Sequence, residues 1–222
     1  MQPVQKIIVV DGSVFPKQKQ SWAVAAAVVE SSRHETTVFD VVVTSKDADK
    51  KDISVVELLG VLSGTRLARQ WGRRNRGEIP LEVVVTDRPA IFSNVEFLIR
   101  REGTEAQRLD LRDTLEFFLN DFARAAINDQ QERRILLLSR QEAVRRNLLG
   151  QHELHHNWTP HNLINQHTRH GLLFDGDVLS NLNKDSAFLR YAVPAPRHQC
   201  SWICHSDRKN FVDLTCRPLS LP

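Results

Sequence analysis

Three acidic residues stand where elements of the chain begin or end: Asp11 after Lys6–Val10, Glu57 near the start of an apolar-periodic stretch, and Asp87 after Leu81–Val85. Converging carboxylates repel one another, and a bound divalent cation is the usual relief. Hard oxygen donors select Mg²⁺ or Mn²⁺, and two such ions ~4 Å apart clamp the attacking and leaving oxygens of a phosphodiester. A second cluster is imidazole-rich, with six of the nine histidines between His152 and His170. Within it His152-Glu153-Leu154-His155-His156 matches His-Glu-x-x-His, in which two histidines one helical turn apart bind Zn²⁺ beside a glutamate base. A preceding Gly150 and the polar flanks Gln151, Asn157 and Trp158 argue instead for a loop rimming the site. A third group, His198, Cys200, Cys204, His205 and Cys216, is a candidate set of Zn²⁺ ligands. Its Cys-x₃-Cys-x₁₁-Cys spacing lacks the paired Cys-x₂-Cys of common structural sites, so reduced, partly buried thiols are the competing expectation.

The elements that must position these groups can be read from periodicity. Lys6–Val10 is a buried-type strand ending in the turn-forming Asp11-Gly12-Ser13, and residues 20–30 and 35–44 are two more β-rich runs with short linkers, as in an antiparallel meander. Apolar residues at Val55, Val56, Leu58, Leu59, Leu62, Leu67 and Ala68 fit a helix opened by Ser54, and Ser54 with Glu57 spells a capping box. Leu81–Val85 is a fourth strand, helices follow over 90–101 and 105–128, Arg134–Leu138 is a fifth strand, and 142–149 is helical. The order β-β-β-α-β-α-α-β predicts an α/β fold with a mixed five-stranded sheet and helices packed on it. If the first and fourth strands are parallel neighbours, Asp11 and Asp87 emerge together at their carboxyl ends, where open α/β sheets bind ligands. Residues 1–185 are expected to form this domain, and 186–222 an irregular Cys/His-containing tail, because Pro194, Pro196, Pro218 and Pro222 argue against a long helix.

Asp11-Gly12-Ser13 after a strand, Glu57-Leu58-Leu59 opening a helix and Thr86-Asp87 ending a strand resemble the ribonuclease H superfamily, nearest its type 1 and retroelement branch. The resemblance implies strand order 3-2-1-4-5. It also implies a two-ion Mg²⁺ or Mn²⁺ site on Asp11, Glu57 and Asp87, and hydrolysis of the RNA strand of an RNA–DNA hybrid to a 3′-hydroxyl and a 5′-phosphate. In that family a fourth carboxylate lies on a helix after the fifth strand, often beyond a Trp-x-Pro…His…Asn stretch. Trp158-Thr159-Pro160-His161-Asn162 is similar to that stretch, but Gln166 or Arg169 stands downstream, so His167 or His170 is expected in the fourth role. Ser13 and the backbone around Gly12 would touch 2′-hydroxyls, again by resemblance. The alternative is a catalytically degenerate module of the same fold that binds RNA or protein within a larger ribonucleoprotein.

Arg69, Arg73 and Arg74 crowd the end of the first helix with Trp71 among them. Such clusters contact phosphates, and an indole face stacks on a base or sugar; the competing reading is a solvated helix end that complements the macrodipole. The partner expected is an RNA–DNA hybrid or a structured RNA. Thirty Lys+Arg against 27 Asp+Glu give +3, a mild basicity that permits such binding without demanding it. The three cysteines all fall in the last 23 of the 222 residues, which excludes a disulfide-dense secreted scaffold. The longest apolar run, Trp22–Val29, is far short of the ~20 residues that span a bilayer. An intracellular soluble domain is the expectation.

Overall fold

Apolar residues run unbroken along Ile7–Val10, Val83–Val85 and Ile135–Leu138, and strands of this kind must be covered on both faces. The computed structural model covers them with helices on each side. It describes residues 6–15, 21–30, 35–43, 53–75, 81–100, 109–155, 158–169, 200–207 and 209–219. The strands are β1 (Lys6–Phe15), β2 (Ser21–Glu30), β3 (Glu35–Val43), β4 (Leu81–Thr86), β5 (Arg133–Ser139), β6 (Cys200–Asp207) and β7 (Phe211–Pro218). The helices are α1 (Ile53–Asn75), α2 (Ala90–Arg100), α3 (Leu109–Asn128), α4 (Arg140–Arg145) and α5 (Thr159–Arg169), with a 3-10 turn at Gln151–Leu154. None of the described helices is long and apolar enough to cross a membrane.

The seven strands form one mixed sheet in the order β3-β2-β1-β4-β5-β7-β6. Its first five strands take the expected order 3-2-1-4-5, with β1–β2 and β2–β3 antiparallel and β1–β4 and β4–β5 parallel. Period-2 alternation divides the core. Ile8, Val10, Val24, Val84, Ile135 and Leu137 face α1, α2 and α3 through residues such as Leu58, Leu62, Phe92 and Phe122. Ile7, Val9, Val83, Val85, Leu136 and Leu138 face Val144, Leu149 and Trp158 on the other side.

The C-terminal segment departs from the irregular tail expected from its prolines. It forms the β6–β7 hairpin, and β7 pairs antiparallel with β5 from Arg133↔Cys216 to Leu138↔Phe211. The reason is alternation: Val212, Leu214 and Cys216 point into the core, and Trp202 stacks on Phe122 with ring centroids 5.8 Å apart. Residue 185, where the domain was expected to end, lies outside the described residues. The Zn²⁺ expectation is corrected too. Cys200 and Cys216 form a disulfide, so two of the proposed ligands are spent on each other; Cys204 lies outside it, and His198 is outside the described residues.

Two local expectations also change. Asp11-Gly12-Ser13 is not a turn, because β1 continues to Phe15 with Asp11↔Ala25, Gly12↔Val24 and Ser13↔Ala23 on β2. Ser54 does not cap α1 but lies inside it, and its hydroxyl accepts a hydrogen bond from Arg88 at 3.3 Å, so Glu57 is not a capping-box residue. The expected 142–149 helix is instead the shorter α4, begun by Ser139, whose side chain accepts from the Glu142 N–H.

Gly12 sets how closely α1 approaches β1. A Cβ there would sit 2.8 Å from the backbone nitrogen of Glu57 and 2.9 Å from the Val56 carbonyl carbon, and one on Gly60 would sit 3.1 Å from the Asp11 carbonyl oxygen. Glu57, Gly60 and Gly64 are three and four residues apart and share one helix face. The small residues let that face settle on β1 and carry Glu57 to Asp11. Gly12→Ala is expected to cost about 1–3 kcal/mol by forcing the helix off the strand; an unchanged melting temperature would contradict this contact.

Candidate metal centre

The site is built from register. β1 and β4 pair in parallel at Ile8↔Val84 and Val9↔Val85, so two residues further on Asp11 runs alongside Asp87. β4 and β5 pair at Thr86↔Ser139, which puts Arg140 beside Asp87 in turn. Asp11, Asp87 and Arg140 thus form a row across three neighbouring parallel strands, midway along β1 and at the carboxyl ends of β4 and β5, and α1 delivers Glu57 from the side. Carboxylate oxygens of Asp11, Glu57 and Asp87 lie within 4.8 Å of one another.

Asp11 and Glu57 are buried, and Asp87 is half-buried. Asp11 Oδ1 accepts from the Gly12 N–H at 2.9 Å, and its Oδ2 lies 3.1 Å from His161 Nδ1. Asp87 Oδ2 is 3.5 Å from the Arg140 guanidinium. Burial pushes the Asp11 carboxyl up to about 7, aided by the Asp87 charge and opposed by the Gly12 N–H and Arg140. Burial pushes Glu57 further, to about 9, aided by Asp11 and Asp87 and opposed by Arg88 and the Gly12 N–H. Glu57 Oε2 and Asp87 Oδ1 are buried with no hydrogen-bond partner. Crowded hard-oxygen donors with orphaned atoms are a poor arrangement for a protein alone and a good one for a divalent cation.

The fourth role was expected to fall to His167 or His170, and neither the His167 side chain nor His170 is among the described residues. His161, in the first turn of α5, is the described histidine that reaches Asp11. The helix is set by tertiary contacts. Ala23 and Ala25 of β2 pack with Ile164, so small side chains admit α5 to the sheet face that carries Asp11. Its first residue is held by Glu153, whose carboxylate accepts from the Thr159 N–H at 3.1 Å and the Thr159 hydroxyl at 2.7 Å. Of His-Glu-x-x-His, His152–Leu154 lies in a 3-10 turn rather than an α-helix, its glutamate caps α5, and His156 is outside the described residues. Glu153→Gln should cost about 1 kcal/mol by replacing an acceptor oxygen with a donor amide at a helix N-terminus. That corresponds to a fall of about 2–4 °C in melting temperature, with reduced activity as His161 loosens. A melting curve identical to wild type would show that the cap is not formed.

Sequence reasoning quoted His155, His161 and Asn162 in their motifs without assigning them to this site, and it missed Arg140 and Asn165. These residues, with Asp87 and Trp158, line a cavity of about 380 Å³. The register of β5 against β4 carried the signal for Arg140. Ser13 sits half-buried on β1 beyond Asp11. Arg69, Trp71, Arg73 and Arg74 fall in the last turns of α1, with their side chains outside the described residues.

Compared with protein-family models and with curated proteins, the chain matches none. Solved structures similar to it are nucleases. The N-terminal RNase H domain of a Mycobacterium tuberculosis protein is 15% identical, covers 52% of this chain and 74% of its own, and has a TM-score of 0.37. LC11-RNase H1 in complex with an RNA/DNA hybrid is 11% identical over 64% of this chain and 90% of its own, with a TM-score of 0.41. The NurA nuclease from Sulfolobus solfataricus is 13% identical over 60% of this chain and 47% of its own, with a TM-score of 0.33. What gives the chain its α/β ribonuclease H-like fold is its own sheet: three antiparallel strands leading into parallel β1, β4 and β5, in the order 3-2-1-4-5, with two further strands added at the β5 edge.

Proposed function

We propose that the chain is a divalent-metal-dependent nuclease that hydrolyses the RNA strand of RNA–DNA hybrids. The observation that carries the chemistry is the convergence of Asp11, Glu57 and Asp87 with orphaned carboxylate oxygens. The hybrid is the substrate implied by the motif resemblance. Asp11, Glu57 and Asp87 would hold Mg²⁺ or Mn²⁺, which when bound supplies a nucleophilic water at neutral pH and stabilises charge on the leaving oxygen.

The chain's own residues do the rest. Gly12 donates to Asp11 and holds its carboxylate in place, and His161, with its side chain half exposed, contacts Asp11 through Nδ1 and borders the cavity where the substrate would lie. Ser13 lies two residues beyond Asp11 along β1, where the strand being cut would pass. The arginines at the end of α1 supply phosphate contacts in this reading. The alternative, a non-catalytic RNA- or protein-binding module of a ribonucleoprotein, gives no reason to keep Glu57 buried among like charges.

The test is incubation with a hybrid labelled separately on each strand, in Mg²⁺, Mn²⁺ or EDTA. Metal-dependent cleavage confined to the RNA strand, leaving 3′-hydroxyl and 5′-phosphate ends, is expected. No cleavage in either metal would overturn the proposal.

A further inference from the structure

Arg140 has no place in the metal chemistry, yet it stands in the same row as two of the carboxylates. Its guanidinium carbon Cζ lies over the buried Trp158 ring, 5.0 Å from the centroid. One edge faces Asp87 at 3.5 Å, longer than the 2.7–2.9 Å of a well-made charged hydrogen bond. A guanidinium has five N–H donors; besides these two contacts Arg140 acts on Asp11 through its charge, and among the described residues no hydrogen bond takes up its other donors. Its remaining donors are left to the cavity of about 380 Å³, whose other walls include His155, His161, Asn162 and Asn165. Among the described residues on those walls Arg140 is the one permanent cation and Asp87 the one carboxylate, so the guanidinium is what the pocket offers to an anion. Asp87 and His161 belong to both the cavity and the metal centre, so an occupant of one is the immediate neighbour of an occupant of the other.

We propose that Arg140 is a substrate-binding residue that grips a backbone phosphate of the nucleic-acid strand next to the phosphodiester at the carboxylates. The inference rests on the nuclease reading above and names how that site would take its substrate. The planar fork matches two phosphate oxygens at once, and its place over Trp158 holds it ready, so little side-chain freedom is lost on binding. Its loose pairing with Asp87 neutralises part of the acidic cluster without satisfying it. Cations on Asp87 would take over that carboxylate and leave the guanidinium to the strand.

Binding is measured apart from cleavage by placing Arg140→Gln and Arg140→Lys in a Glu57→Gln background and following a fluorescent RNA–DNA hybrid by anisotropy across a salt series. Thermal melting of each variant confirms the fold. Arg140→Gln is expected to raise Kd about tenfold and to flatten the log K against log salt slope by about 0.7–0.9, the share of one phosphate contact. Arg140→Lys is expected to restore the slope but not the affinity, because an ammonium has neither the fork nor the flat face. Unchanged affinity and slope in Arg140→Gln would overturn the inference, as would weaker binding with no change in slope, or full recovery by Lys. If wild type cleaves the hybrid while Arg140→Gln binds it normally, only this inference fails. If the hybrid is neither cut by wild type nor bound by the Glu57→Gln protein, the nuclease reading fails and this one with it.

Discussion

Asp11→Asn is expected to reduce hybrid cleavage by about 10³-fold or more while the protein stays folded. The substitution keeps the side chain's shape and its acceptor for the Gly12 N–H, so the strand and its pairing with Ala25 are undisturbed. It removes one full charge from the cation site, and several kcal/mol of lost transition-state stabilisation is about three powers of ten in rate. Rates and circular dichroism on the same preparation check both halves of the statement. Cleavage by Asp11→Asn at the wild-type rate would place the chemistry elsewhere.

The second large effect is on stability and has a defined sign. Asp11 and Glu57 hold their protons to about 7 and about 9 in the folded protein, against 3.8 and 4.5 ordinarily. Across that window the folded chain binds protons that the unfolded chain has released, so metal-free stability is greatest at the acid end and falls as pH rises through it. Mg²⁺ or Mn²⁺ offsets the same repulsion, and the gain in melting temperature on adding metal should be larger at pH 9 than at pH 6. Glu57→Gln, which the capping-box reading would have made less stable, is expected to melt about 3 °C or more above wild type in EDTA at pH 9. It should also lose most of the metal response. Thermal melts of both proteins at the two pH values, with and without Mn²⁺, decide it. A metal-free wild type that gains stability with rising pH would contradict the buried cluster.

The first five strands and the three carboxylates were legible because their signals are local. Ile7–Val10 and Val83–Val85 are short apolar runs, α1 keeps a helical period over many residues, and Asp87 follows its strand directly. The error at Asp11 was also local. Asp-Gly-Ser carries turn chemistry, but pairing with Val24 and Ala23 overrides it, and the glycine is there for the approach of α1. His161 was harder to choose among neighbouring histidines, because what selects it is the start of α5, fixed by Glu153 from another element. Arg140 reads as an ordinary surface arginine until Thr86 is paired with Ser139. The hairpin had a usable pattern in Phe211-Val212-Asp213-Leu214-Thr215-Cys216, but its partner, β5, lies more than sixty residues upstream.

That hairpin also covers the outer margin of β5 and leaves β6 as the edge of the sheet on that side. Without β7, the backbone N–H and C=O groups of β5 from Arg133 to Leu138 would line an open, flat margin next to Ile135 and Leu137, which are fully buried in the intact chain. Such a margin is a template for any other extended chain, including an identical one. A shortened protein ending after α5 would keep every carboxylate of the metal centre and still be a poor reagent, since molecules could pair margin to margin and precipitate. The last strands thus remove β5 as such a template.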